Sequence, residues 1–245
     1  MKIAVVTGTS YGLGKSISES LLEEGYKMYG ISRTDPKNSN TNFKWIKAGL
    51  TDEKSFDLIS KSISEDKIDV LINNAGTAFY APALKFTNEN FQKMFDLNFE
   101  VPVKLTERLN MKLKGGLVIN ISSNSDRFAE VNFALYCSSK AALNIYFDTI
   151  ALENKDLKII NLLPTYIDTP LARKLVNNDS DLEFWDKNMQ VNKVGESVAK
   201  IVKEEKDFPN GARIMIINNK LKDEVKDPEK LYSYNVDIKE FKKIK

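Results

Sequence analysis

The 245-residue sequence contains no histidine and a single cysteine, Cys137. A His-based catalytic triad and a His-containing zinc site are therefore excluded, and one thiol cannot build a thiolate cage, so no metal site is expected. An internal disulfide is excluded too, which is compatible with a reducing compartment. Charge of one sign is also lacking. The 36 Lys and Arg are nearly balanced by 34 Asp and Glu, so no basic field points to nucleic acid or to a membrane surface. No apolar run approaches the ~18 residues that a membrane span needs, and no leader-like segment precedes the first apolar run. A cytoplasmic protein is the expectation. Any acid–base chemistry must use Tyr, Lys, Asp, Glu or Cys.

Short apolar runs alternate with longer amphipathic ones. Strands are predicted at 2–8, 27–32, 43–48, 69–74, 116–122, 157–163 and 212–217. Helical patterns are predicted near 12–24, 55–63, 88–97, 99–113, 134–153, 170–176, 181–188 and 195–206. Repeated β-α-β units with near-continuous apolar strands argue for an α/β fold: a doubly wound, seven-stranded parallel sheet of the Rossmann type with helices on both faces. No repeat, low-complexity segment or linker interrupts the pattern, so one domain over 1–245 is expected. The charged segment 218–245 reads as a solvated tail or surface helix, or else as a flap or a subunit contact.

"VVTGTSYGLGKS" places Gly8, Gly12 and Gly14 between the first strand and the first helix. Residues without a Cβ permit a tight turn there. A pyrophosphate can then rest on free N–H groups at a helix N-terminus, where the helix dipole favours its charge. A purely structural turn is the alternative. The second strand ends in Ser32 and Arg33 rather than in an acid. An acid would hold a ribose 2′-hydroxyl, whereas a hydroxyl and a guanidinium suit a 2′-phosphate. NADP(H) is thus favoured, with NAD(H) the alternative.

Within "FALYCSSKAAL", Tyr136 and Lys140 share one helix face a turn apart. Tyr11 and Lys15 repeat the spacing, but that pair straddles the start of the first helix. The pattern alone is therefore not diagnostic, and a surface tyrosine with a snorkelling lysine is the plain alternative. Cys137, next on the helix, reads as a structural thiol.

In order and spacing, "TGTSYGLG", "NNAG", Asn98, Ser123 and "YCSSK" resemble the short-chain dehydrogenase/reductase superfamily in its compact branch, over residues 2 to about 218. The resemblance implies hydride transfer between a nicotinamide cofactor and a carbonyl or alcohol carbon. It implies Tyr136 as general acid/base, Lys140 as its electrostatic partner, Ser123 as the substrate-orienting hydroxyl and Asn98 as the residue placing a relay water. It also implies cofactor contacts from Gly8, Ser10, Tyr11, Gly12, Leu13 and Gly14, from Ser32, Arg33 and Leu50, from Asn74, Ala75 and Gly76, from Tyr136 and Lys140, and from Pro164, Ile167 and Thr169. Three positions depart from the family pattern. Gly49 stands where an adenine-side Asp is usual, Thr165 follows Pro164 where Gly is usual, and "IINNK" lacks the usual Asp-Gly-Gly turn.

On this reading a positive charge on Lys140 lowers the phenol's pKa, and Ser123 steadies the developing alkoxide. The substrate would be enclosed by "NSDRFAEVNF" and by a lid over 170–190 carrying Phe184 and Trp185, with Asp126 and Arg127 as candidate anchors for a polar substrate. The apolar helices 99–113 and 134–153 suggest a homo-oligomer, a dimer or tetramer. A non-catalytic NADP(H)-binding regulator or scaffold is the competing reading.

Overall fold

A computed structural model of the chain describes residues 1–175, 188–220 and 231–243. Its strands are β1 (Ile3–Thr7), β2 (Lys27–Ser32), β3 (Phe43–Lys47), β4 (Val70–Asn73), β5 (Leu117–Ile121), β6 (Lys158–Pro164), β7 (Ala212–Ile217), β8 (Leu231–Asn235) and β9 (Glu240–Lys243). They form one sheet in the order β3-β2-β1-β4-β5-β6-β7-β8-β9, parallel throughout except for the antiparallel β8–β9 pair. From β1 the chain winds first to one side, through β2 and β3, and then to the other, beginning with β4. That reversal opens a crevice beyond the carboxyl ends of β1 and β4.

Alternation along each strand feeds two cores. Ala4 and Val6 of β1 pack with Leu13, Ile17 and Leu21 of α1 (Gly12–Glu23) and with Val194, Val198 and Ile201 of α7 (Val191–Lys203). Ile3 and Val5 face the opposite layer. There they join Phe56 and Ile59 of α2 (Glu53–Ser62), Leu105 and Leu109 of α4 (Val101–Leu109), and Leu143 and Phe147 of α5 (Ala134–Glu153). The remaining α-helices among the described residues are α3 (Asn88–Phe95) and the short α6 (Pro170–Leu175). Gly195 lets α7 lie close on α1, since a Cβ there would fall 2.2 Å from Ser16 Oγ. Among the described residues no helix is long and apolar enough to cross a membrane.

The sheet has nine strands rather than the seven expected, and the difference lies in the charged C-terminal segment. Its residues 231–243 are not a solvated tail or a surface helix. They form a hairpin that extends the sheet past β7. The buried Tyr234 ring lies 4.5 Å from that of Phe241, which in turn packs at 4.7 Å on Phe208. The Lys200 ammonium covers both Tyr234 and Phe241 at about 5.5 Å, so a small apolar cluster roofed by a cation holds the hairpin. The predicted helix at 181–188 and the central part of the expected lid, with Phe184 and Trp185, lie outside the described residues.

Candidate active site

The crevice at the strand ends is a cleft of about 590 Å3. The turn after β1 forms one wall. Gly8 and Gly12 have φ of +76° and +62°, a left-handed conformation that strains any residue with a Cβ. A Cβ on Gly14 would fall 2.2 Å from the Gly8 carbonyl, so only glycine lets α1 start this close to the strand. No side chain caps the start of α1, and Ser10, Tyr11, Gly12, Leu13 and Gly14 all line the cleft. The orphan N–H groups of the first helical turn are thereby left for an anion.

At the far end of this wall lie Ser32 and Arg33. The Ser32 hydroxyl is engaged within the protein: it donates to the Thr34 carbonyl at 2.8 Å and accepts from the Trp45 indole N–H at 3.1 Å. Arg33 is exposed, lines the cleft, and has no ion-pair partner among the described residues. Leu50 is buried beside it, and a Cβ on Gly49 would meet nothing.

Asn74, Ala75 and Gly76 form the next segment. The Thr7 hydroxyl accepts from the backbone N–H groups of Asn74 and Ala75 at 3.0 and 2.9 Å, while the Asn74 side chain donates to the Thr7 carbonyl at 2.8 Å. These bonds tie the loop after β4 to the end of β1. Gly76 leaves room for two neighbours, because its Cβ would lie 3.2 Å from Asn98 Oδ1 and 3.7 Å from Lys140 Nζ.

Asn98 occupies a π-helical turn, Asp96–Glu100, that joins α3 to α4 where the sequence suggested two separate helical stretches on either side of residue 98. Such turns often sit at functional sites. The Asn98 side chain is buried and fully engaged. It donates to the Thr77 carbonyl at 2.9 Å and to Ser139 Oγ at 3.0 Å, and accepts from Thr77 N–H at 2.8 Å. It does not line the cleft; it clamps the loop after β4 to α5.

Ser123, just beyond β5, caps the 3-10 turn Asn124–Asp126 by accepting from Ser125 N–H at 3.2 Å. Its hydroxyl faces the same cleft as the Tyr136 phenol and favours the ionised form of that phenol. Lys140 is buried one turn along α5, with Nζ 5.8 Å from the Tyr136 ring centroid and donating to the Ile121 carbonyl at 2.8 Å. Ser123, Tyr136 and Lys140 therefore converge on the cleft.

Their electrostatics differ from the expectation. Burial of the hydroxyl end pushes the Tyr136 phenol up to about 12; the Ser123 hydroxyl works against this, and the charge of Glu130 works with it. Burial likewise lowers the Lys140 ammonium to about 8. Desolvation prevails at the phenol, which is held protonated rather than made more acidic. Burial also raises the Cys137 thiol, as befits an unreactive one.

A buried polar chain supports this arrangement from below. Asn73, Asn120, Asn161 and Arg213 are register partners across β4, β5, β6 and β7. Asn73 donates to Asn120 at 2.9 Å, Asn120 to Asn161 at 2.8 Å, and Asn161 to Asp148 of α5 at 2.9 Å. Arg213 bonds Asp148 and also reaches Asp126 at 3.1 Å. Asp126 accepts from Arg127 and Asn144 as well, at 2.9 and 2.8 Å. Its carboxylate is thus turned inward and committed, and it is not the anchor for a polar substrate that its loop position suggested. The network instead fixes the turn after Ser123 against α5. It went unread in the sequence although each of three apolar strands carries one central asparagine.

On the opposite wall, Pro164, Ile167 and Thr169 line the cleft. Ile167 bridges to Met189, and Thr169 Oγ1 accepts from Ala172 N–H at 3.2 Å at the start of α6. The Thr165 hydroxyl points down to the Ile216 carbonyl at 3.4 Å. Three further groups were missed in the sequence: Trp45, which fixes Ser32; Glu130; and Ser122, whose buried hydroxyl lines the cleft without a hydrogen-bond partner among the described residues.

The family model described as "short chain dehydrogenase" matches residues 2–180. A benzil reductase ((S)-benzoin forming) of Bacillus cereus is 31% identical over 247 residues, covering 88% of this chain and 99% of that protein. Among solved structures, an aldohexose dehydrogenase of Thermoplasma acidophilum superposes with a TM-score of 0.80 at 24% identity, over 93% of this chain and 97% of the other. An alcohol dehydrogenase of Thermococcus sibiricus, complexed with 5-hydroxy-NADP, gives 0.79 at 22% identity, over 94% and 99%.

Two outcomes are expected from this geometry. Arg213→Met removes one of the two arginines on Asp126 and the arginine on Asp148, and should cost about 2 kcal/mol in chemical denaturation; an unchanged midpoint would contradict the network's role. Lys140 binds its proton more weakly folded than unfolded. Between pH 8 and 10.5 the unfolded chain therefore holds more protons, and wild-type stability should rise relative to Lys140→Met across that window. Melting temperatures of both proteins against pH check the sign.

Proposed function

The chain belongs to the short-chain dehydrogenase/reductase family, and from that premise we propose that it is an NADP(H)-dependent carbonyl reductase in which Tyr136 is the proton donor. The observation that carries the reading is the convergence of Ser123, Tyr136 and the buried Lys140, held by the Ile121 carbonyl, on the wall of the cleft. The oxidoreductase class follows from the family. The cofactor preference, the residue roles and the substrate type are this proposal's own.

The cleft suits a dinucleotide on its own geometry: a glycine cradle that a Cβ would fill, an uncapped helix start, and an orphaned buried hydroxyl at Ser122. The N–H groups of Tyr11 to Gly14, with Gly8 and Ser10, would hold the pyrophosphate. Arg33 would pair with a 2′-phosphate, while Ser32 shapes the turn that presents Arg33. Leu50 would border the adenine, and Asn74, Ala75 and Gly76 would back the centre of the dinucleotide. Pro164, Ile167 and Thr169 would flank the nicotinamide, and Tyr136 and Lys140 its ribose. When bound, the nicotinamide supplies the hydride equivalent.

The protein's own groups handle the oxygen. Ser123 donates to the substrate carbonyl and favours the charge that develops there. Tyr136, protonated at neutral pH by virtue of burial, gives its proton to that oxygen. Lys140, anchored on the Ile121 carbonyl, stabilises the phenolate left behind. Asn98, its side chain committed to Thr77 and Ser139, acts by positioning α5 behind the wall of the cleft. A homodimer through α5 also fits, since Ile145 and Leu152 lie seven residues apart on its outer face and are 62% and 78% exposed.

Tyr136→Phe removes the acid and leaves the ring. In stopped-flow assays with NADPH and a ketone or diketone panel, turnover should fall by about a hundredfold or more while NADPH affinity holds. Unchanged turnover would remove Tyr136 from the mechanism, and no turnover by the wild-type protein would favour the scaffold reading. Arg33→Ala removes a charge-assisted contact, so it should weaken NADPH by about tenfold or more and leave NADH nearly unaffected. Equal weakening of both cofactors would assign the preference elsewhere.

A further inference from the structure

Glu130 is the one carboxylate among the described residues that line the cleft. It lies between the turn that follows Ser123 and the start of α5, in the stretch that also supplies Ser125 and Phe133. Ser123 Oγ is 3.1 Å from Ser125 Oγ, and the Ser125 hydroxyl in turn donates to the Glu130 carboxylate. The second carboxylate oxygen accepts from the Tyr166 hydroxyl at 3.3 Å. No Lys or Arg pairs with Glu130 among the described residues. The nearby cations are committed elsewhere, Lys140 to the Ile121 carbonyl and Arg127 to Asp126. A carboxylate has about four acceptor sites, so roughly two remain open to a ligand. The charge also reaches the reacting group, because it contributes to holding the Tyr136 phenol up. Around it the wall is aromatic, with Phe133 edge-on to Tyr136 at 6.2 Å and Tyr166 opposite.

We propose that Glu130 selects the substrate: the site takes ketones with an aromatic or apolar arm and a neighbouring hydroxyl or ammonium group, and rejects anionic keto acids. The inference rests on the reductase reading, which places the carbonyl oxygen at Ser123 and Tyr136. From Ser123 Oγ, Glu130 is two hydrogen bonds away, at most about 6 Å. A donor on the carbon next to the carbonyl, or one carbon further along, spans that gap. A carboxylate in the same place would face the Glu130 carboxylate at close range, where like charges repel.

Non-reacting alcohols test this on the NADPH-loaded protein without chemistry. Isothermal titration with 2-amino-1-phenylethanol (ammonium), 1-phenyl-1,2-ethanediol (neutral) and mandelate (anion) compares three charges on one skeleton. Wild-type protein should bind mandelate at least about tenfold more weakly than the diol, with the amino alcohol as tight as the diol or tighter. Glu130→Gln keeps the shape, and Glu130→Ala removes the group. In both, mandelate should gain and the amino alcohol lose, closing most of the gap. Wild-type protein that binds mandelate as well as the diol, or ratios unchanged in both variants, would overturn the proposal. Failure of the reductase reading would show separately, as an absence of NADPH oxidation with every ketone while the binding order persists.

Discussion

Removal of water from the Tyr136–Lys140 pair is the constraint on which the rest of the site depends. A lysine one turn from a tyrosine is common on helices and in water does little. Buried, the ammonium needs an acceptor, and it takes the Ile121 carbonyl at the end of β5. That bond fixes the helix face against the strand end and so sets where the phenol lies. The same burial holds the phenol protonated. In the proposed mechanism, an acid that keeps its proton until an oxyanion forms beside it suits the reductive direction, and Lys140 would then serve the product of the transfer more than the resting state.

The sheet prepares this place in two ways. The winding reversal at β1 and β4 supplies a crevice, and the glycines after β1 bring backbone donors into it. The asparagine row through β4, β5 and β6 carries hydrogen bonding beneath the crevice to Asp148, Arg213 and Asp126. Breaking such a chain is costly, because it leaves buried polar groups unpaired beyond the Asn73 and Asn144 side-chain oxygens, which already lack a partner among the described residues. The chain therefore fixes the relative height of four strands and of the turn that carries Ser123.

Much of this was legible in the sequence. The parallel sheet follows from apolar runs at β-α-β spacing, and the glycine turn from its position between strand and helix. Every residue expected on the cofactor side lines the cleft, as do Ser123, Tyr136 and Lys140. Asn98 stands behind the wall instead. The misreadings share one cause, the weighing of local composition over tertiary contacts. Charges at 218–245 concealed a strand pair whose buried members are Tyr234, Val236 and the half-buried Phe241. Asp126 looked exposed because loop charges usually are, yet two arginines enclose it. The sign of the phenol's shift could not be read from spacing, because spacing reports the neighbouring charge and is silent on solvent. Glu130 fell within a stretch expected to enclose the substrate, but nothing local marked it as lining the cleft.

The central claim is that burial holds the Tyr136 phenol as a reserve acid. The most direct measurement is a pH titration of the cofactor-free protein labelled with 13C at tyrosine Cζ, with the Tyr136 resonance assigned by its loss in Tyr136→Phe. The account predicts a resonance that is still that of the neutral phenol at pH 10, where an ordinary tyrosine is half ionised. A phenolate resonance already present near neutral pH would show that the field of Lys140 prevails over desolvation, and would contradict it.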